Sequence, residues 1–136
     1  MANIVGASVG SVLTKIEFKD DDFVLGYIRI NLTDARIVER LEKCAEFFRD
    51  FKPEGEGIQK LRAMDNAIIE RFNYLLGYDC ESTLFGVVSP TTITDSGDFF
   101  ALTVLSRISE VFQDEIKRKA EARASAIKKH TAKYNR

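Results

Sequence analysis

Residues 71–86 read RFNYLLGYDCESTLFG. Phe72 and Leu75 end an apolar stripe that begins upstream at Leu61, Met64 and Ile68, a spacing that keeps one face of a helix over about 58–76. Gly77 is suited to the left-handed residue that stops such a helix. Cys80 then stands among Tyr78, Asp79, Glu81, Ser82 and Thr83, before Leu84-Phe85-Gly86 closes the stretch. The crowd reads either as an active site or as a polar knuckle between packed helices. A Cys nucleophile needs a neighbouring base or cation. The one histidine, His130, lies far downstream, and the flanking carboxylates of Asp79 and Glu81 push a thiol pKa upward. The stretch therefore predicts a knuckle, with Leu84 and Phe85 pinned to the core and Asp79, Glu81 and Ser82 facing water or capping.

Upstream of that helix, Ile37, Leu41, Cys44, Phe48 and Phe51 recur every three or four residues. They predict a helix over about 34–52, capped by Thr33 or Asp34 and ended by Pro53, Gly55 and Gly57. Further back the period changes to two. Val12, Thr14, Ile16 and Phe18 alternate with Leu13, Lys15 and Glu17. After the turn cluster Lys19-Asp20-Asp21-Asp22, Val24, Ile28, Ile30 and Leu32 share one face, with Gly26 between them, while Phe23, Leu25 and Tyr27 lie on the other. Residues 12–32 thus predict a β-hairpin, which needs a covering layer because a lone hairpin is marginal in water. Residues 1–10 read as an irregular or extended arm.

Downstream, the Ser/Thr-rich stretch 86–97 with Pro90 predicts a loop. Asp95 or Ser96 is a candidate cap for a last helix over about 97–116, with Ala101, Leu105, Ile108, Phe112 and Ile116 as its stripe. The alanines at 120, 122, 124 and 126 sustain helix propensity after the core signal fades. The expected class is therefore α+β, mainly α: an N-terminal β-hairpin and about three helices, the last long and projecting. Residues 1–116 would form one compact domain and 117–136 a basic helical extension. Ten Phe and no Trp predict a Phe-stacked core.

Charge divides the chain at the same place. Residues 117–136 hold eight Lys or Arg against the single acid Glu121, a net of +7. Residues 1–116 hold twelve bases and twenty acids, a net of −8. Such asymmetry marks an interaction surface. The plainer possibility is a solvated helix end whose cations suit the negative pole of the helix dipole. The functional case is a docking arm carried by Arg118, Arg123, Lys128, Lys129, Lys133 and Tyr134. With Tyr134 its sole aromatic, a protein partner is favoured over nucleic acid. Phe23, Leu25 and Tyr27 on the hairpin and Phe85 in the knuckle are further candidate partner contacts.

Other chemistry is weakly signalled. Two Cys and one His lack zinc-ligand spacing. Consecutive Asp20, Asp21 and Asp22 make a turn rather than an alternating calcium loop. Gly6 and Gly10 precede a strand, without the Gly-Lys-Ser/Thr of a phosphate loop. We expect no catalytic residue, metal or cofactor. No basic leader or apolar run of about 18 residues is present, so the expectation is a cytoplasmic protein with reduced thiols and no membrane helix.

The order of these features resembles the tail assembly chaperones of long-tailed phages and prophages of Gram-positive bacteria. A hairpin strand ends in the polar cap INLTD at 30–34 and leads into a first helix. Asp65, Ile68 and Phe72 enter the Gly77 knuckle, which closes on Phe85-Gly86. Asp98-Phe99-Phe100 with Leu102 starts the last helix, and Arg118, Arg123, Ile127, Lys133, Tyr134, Asn135 and Arg136 end it. The chain departs from the pattern in reading LLGYDCE where FGxG is more usual, and in lacking Ser-Pro between Tyr134 and Asn135. The resemblance implies a non-enzymatic, homo-oligomeric factor in the host bacterial cytoplasm. It would coat the tape measure protein, be displaced by tail tube protein and be absent from the mature virion. The alternative is a small nucleic-acid-binding regulator using the basic last helix.

Overall fold

The structure, a computed structural model, describes residues 3–10, 12–51 and 57–134, with side chains described to residue 131. The polypeptide is α+β and mainly α. Strands β1 (Thr14–Asp20) and β2 (Phe23–Ile30) form an antiparallel hairpin, followed by helices α1 (Ala35–Asp50), α2 (Ile58–Leu76), the one-turn α3 (Glu81–Leu84) and α4 (Phe100–Tyr134). Residues 3–10 have no regular structure and are exposed. Pro53 and Gly55, expected to end α1, lie outside the described residues.

The hairpin contains one irregularity that its alternation does not reveal. Pairing runs in register from Thr14–Ile30 to Phe18–Gly26, then shifts so that Lys19 faces Val24 and Leu25 becomes the extra residue of a bulge. Val24, expected on the core face, is thereby turned out to solvent. Leu25, expected on the outer face, is half-buried against the core. The turn needs a residue tolerant of left-handed backbone, and Asp21 supplies it with φ +52°. Ile16, Phe18, Ile28 and Ile30 point inward beneath the helices.

Gly26 sits where the hairpin meets α3. A Cβ there would stand 2.4 Å from the Leu84 carbonyl oxygen and 2.9 Å from that of Thr83. The sheet and the knuckle touch backbone to backbone, at a separation only glycine permits.

Asp34 is the cap of α1, its Oδ1 accepting the Arg36 amide at 2.9 Å. Ile37, Leu41 and Cys44 are buried along the expected stripe, and Phe48 and Phe51 are half-buried at its end. In α2, Ile68, Phe72 and Leu75 are buried, but Met64 is only half-buried and Leu61 is exposed, so the first turns outrun the core. Gly77 ends α2 in the left-handed region at φ +80°, donating its amide to the Asn73 carbonyl.

The last helix begins at Phe100, three residues later than the spacing predicts, and neither Asp95 nor Ser96 caps it. Residues 94–98 form a separate turn in which the Thr94 amide and hydroxyl both donate to the Asp98 carbonyl. The amides of Phe100 and Ala101 donate instead to the carbonyls of Thr92 and Pro90, at 2.7 and 3.0 Å. The loop itself caps α4, and Asp65 fixes the loop by accepting the Thr91 amide at 3.0 Å.

Phenylalanine rings run through the core as expected. Phe48 meets Phe72 with centroids 6.0 Å apart, Phe72 meets Phe85 at 5.5 Å, Phe85 meets Phe100 at 6.0 Å, and Phe100 meets Phe18 at 6.3 Å. The last three contacts are edge-on, the arrangement that the ring quadrupole favours. The series joins α1, α2, the end of α3, α4 and β1. Ala101, Val104, Leu105 and Ile108 complete the α4 contribution, and Ile116 is already 41% exposed. From residue 116 to 131 every described side chain of α4 is exposed.

Candidate functional site

The knuckle is folded inward rather than presented. Cys80 is fully buried, and its amide donates to Asn73 Oδ1 at 2.8 Å. Burial pushes its thiol up to about 12, with the charges of Asp79 and Glu81 adding to the effect. Burial likewise raises Cys44 to about 12, opposed only in part by Arg71. Neither thiol is an available nucleophile near neutral pH. Iodoacetamide at pH 8 should modify the native chain on the order of a thousandfold more slowly than the urea-unfolded chain, read by intact mass. Equal rates would show that these thiols are accessible as thiolates. Among the described residues no three His, Cys, Asp or Glu side chains gather as a metal-ligand set.

The rest of the knuckle is structural. Asp79 Oδ1 accepts the Glu81 amide and starts α3. The Tyr78 hydroxyl accepts the Arg29 amide at 2.9 Å and donates to the Arg29 carbonyl at 3.2 Å. One side chain thus satisfies both outward backbone groups of Arg29 and covers the β2 edge there. Phe85, a candidate partner contact by sequence, is 8% exposed between Phe72 and Phe100; it is a core residue.

The hairpin candidates separate. Phe23 is 61% exposed beside the turn. Leu25 belongs to the core margin because of the bulge. Tyr27 is half-buried, with Lys15 Nζ 4.8 Å and the Arg29 guanidinium 5.9 Å from its ring centre.

The α4 extension is exposed along all of its described side chains from residue 116 to 131. The whole helix of 35 residues is about 52 Å long. Arg118 is paired with Glu115, whose carboxyl it holds below the usual carboxylate range. Arg123, Lys128 and Lys129 are exposed and have no ion pair among the described residues. The side chains of Lys133 and Tyr134 lie outside the described residues. At 100° per residue, Ile116, Ala120, Ala124 and Ile127 fall on one face. Arg123 borders that face on one side, and Lys117 and Lys128 border it on the other. Periodicity could have exposed this stripe, whose steps are 4, 4 and 3, but its alanines read first as mere helix formers.

No protein-family model, curated protein or solved structure matches the chain.

One surface was not legible in sequence. A groove of about 660 Å³ lies between the end of β2, α1 and the knuckle, edged by Arg29, Arg36, Arg40, Tyr27, Tyr78 and Leu76. Arg36 is held by Asp34, with Nη2 to Oδ2 at 2.9 Å, and that hydrogen bond keeps the Asp34 carboxyl below its ordinary range. Arg40 lies 5.3 Å from the Tyr74 ring centre. Asp34 is the one acid among the groove's described lining residues; it pairs with Arg36 and also feels the charge of Arg40, while neither Arg29 nor Arg40 forms an ion pair among the described residues. Arg36 and Arg40, four apart on α1, were the one local signal of this site.

Proposed function

We propose that this chain is a non-enzymatic assembly chaperone of a long-tailed phage or prophage. In this reading it shields the long helical tape measure protein in the host bacterial cytoplasm, yields it to tail tube protein and does not remain in the virion. The observation that carries the reading is the exposed run of α4 beyond Ile116, where a narrow face of Ile and Ala is flanked by cations. Alanines let a second helix approach closely, while Ile116 and Ile127, 41% and 54% exposed, give that approach apolar contacts. So thin a stripe buries little area per copy. Many weak contacts along a long client supply avidity and still permit release. Among the described residues no helix is long and apolar enough to cross a membrane.

Co-expression with the neighbouring tape measure gene tests the reading. The full chain should keep the client in the supernatant. A chain ending at residue 116, or carrying Ile127→Asp, should lose most of that protection while its own melting temperature changes little. A client equally insoluble with and without the full chain would sink the proposal. Arg123, Lys128 and Lys129, which have no ion pair among the described residues, favour a second reading, nucleic-acid binding by the same helix. That reading requires DNA retardation that weakens steeply with salt and disappears on deletion of 117–136. Retardation unaffected by the deletion would reject it.

A further inference from the structure

The hairpin turn and the arginine groove are complementary in charge and in apolar character. At the turn, Asp20, Asp21 and Asp22 are exposed and have no cation partner among the described residues, and Phe23 is 61% exposed directly beside them. The groove offers the converse: Arg29 and Arg40 with no ion pair among the described residues, the rings of Tyr27 and Tyr78, and Leu76. We propose that the Asp20–Phe23 turn of one copy docks into the Arg29/Arg40 groove of a second copy of this chain. The carboxylates meet the two guanidiniums, and the Phe23 ring lies against the tyrosines and Leu76.

A copy cannot satisfy its own groove. Phe23 and Arg29 stand six residues apart on the same strand, about 20 Å in extended backbone. The groove receives a turn from outside, and the receiving copy still presents its own. The contact is therefore heterologous: it repeats from copy to copy, as a ring if the rotation closes and as a filament if it does not. Arginine suits the role, because its planar fork binds carboxylate at two points and its face stacks on aromatic rings. The contact needs no client, and it lies on the body rather than on the α4 extension.

Sedimentation velocity on the full chain, from micromolar to millimolar concentration and at low and high salt, tests it. The wild-type chain should self-associate, with affinity falling as salt rises. A turn variant (Asp21→Asn, Asp22→Asn and Phe23→Ser together) and a groove variant (Arg29→Glu with Arg40→Glu) should each weaken self-association at least about tenfold. Asn at 21 tolerates the left-handed backbone, and Arg40→Gln serves as a milder second groove variant should the double change lower the melting temperature. The decisive result is the mixture. Groove variant and turn variant, each impaired alone, should form a one-to-one heterodimer, since one keeps an intact turn and the other an intact groove. A wild-type chain that stays monomeric at low salt would overturn the proposal. So would variants that assemble like wild type, a mixture that stays monomeric, or a groove that binds a free Asp-Asp-Asp-Phe peptide without any self-association of the chain.

Discussion

Phe72→Ala should destabilise the fold by about 3–5 kcal/mol, the range for emptying a buried Phe site. Phe72 is fully buried and stands second in the ring series, in contact with Phe48 of α1 on one side and Phe85 on the other. Its loss therefore removes the contact joining the α1–α2 pair to the knuckle and, through Phe85 and Phe100, to α4. Collapse around the vacated space is obstructed, because Ile68 and Leu75 are themselves fully buried. Small domains have roughly 5–15 kcal/mol of total stability, so the variant should be largely unfolded at mild urea concentrations. Urea denaturation followed by circular dichroism gives the number. Phe23→Ala, at the exposed turn, is the matched control and should leave the midpoint nearly unchanged. A Phe72→Ala loss below about 1 kcal/mol would mean that the site is not packed as described.

Gly26→Ala should be almost as damaging, at about 3 kcal/mol, although it adds a single methyl group. The added Cβ would meet two backbone carbonyl oxygens, of Leu84 at 2.4 Å and of Thr83 at 2.9 Å, and backbone atoms cannot swing aside as side chains do. Either β2 moves away from α3, opening the core around Ile28 and Leu84, or α3 shifts and carries Phe85 out of the ring series. Both routes forfeit buried contacts. Gly6→Ala is the comparison: a Cβ there meets nothing within 4 Å, and stability should not change measurably. Equal midpoints for the two variants would refute the backbone-to-backbone contact.

These two positions also show what a linear reading can reach. Phe72 was legible because Ile68, Phe72 and Leu75 lie on one local helical face, and helical periodicity needs no knowledge of the rest of the molecule. Gly77 was legible for the same reason, since its left-handed turn is decided within a few residues. Gly26 appeared only as an interruption in a strand. The cause is the approach of residues 83 and 84, nearly sixty positions later. The bulge at Leu25 was equally hidden, and it moved Val24 out of the core and Leu25 toward it. The start of α4 was misplaced because its cap comes from main-chain carbonyls of Pro90 and Thr92, groups that every residue possesses and no composition reveals. Phe85 carried two expectations, a pin to the core and a partner contact; its ring fills the gap between Phe72 and Phe100, so the first holds and the second does not. Of the candidate surfaces, the exposed α4 extension followed from helix propensity and charge. The arginine groove combines a strand, a helix and a turn that sequence alone does not place side by side.

The continuity of α4 has a mechanical consequence. Between residues 100 and 134 there is neither glycine nor proline, so no residue there is suited to act as a swivel. The same rod that is gripped at Ala101, Val104 and Ile108 reaches about 27 Å past Ile116. It works as a lever with its fulcrum in the Phe-lined interior. A tilt of about 10° at the gripped end displaces the tip by about 5 Å, given that reach. Conversely, a load on the tip is felt as torque on Phe100 and, through its ring, on Phe18 and Phe85. Whatever seizes the far end of this helix also pulls on the joints of the body.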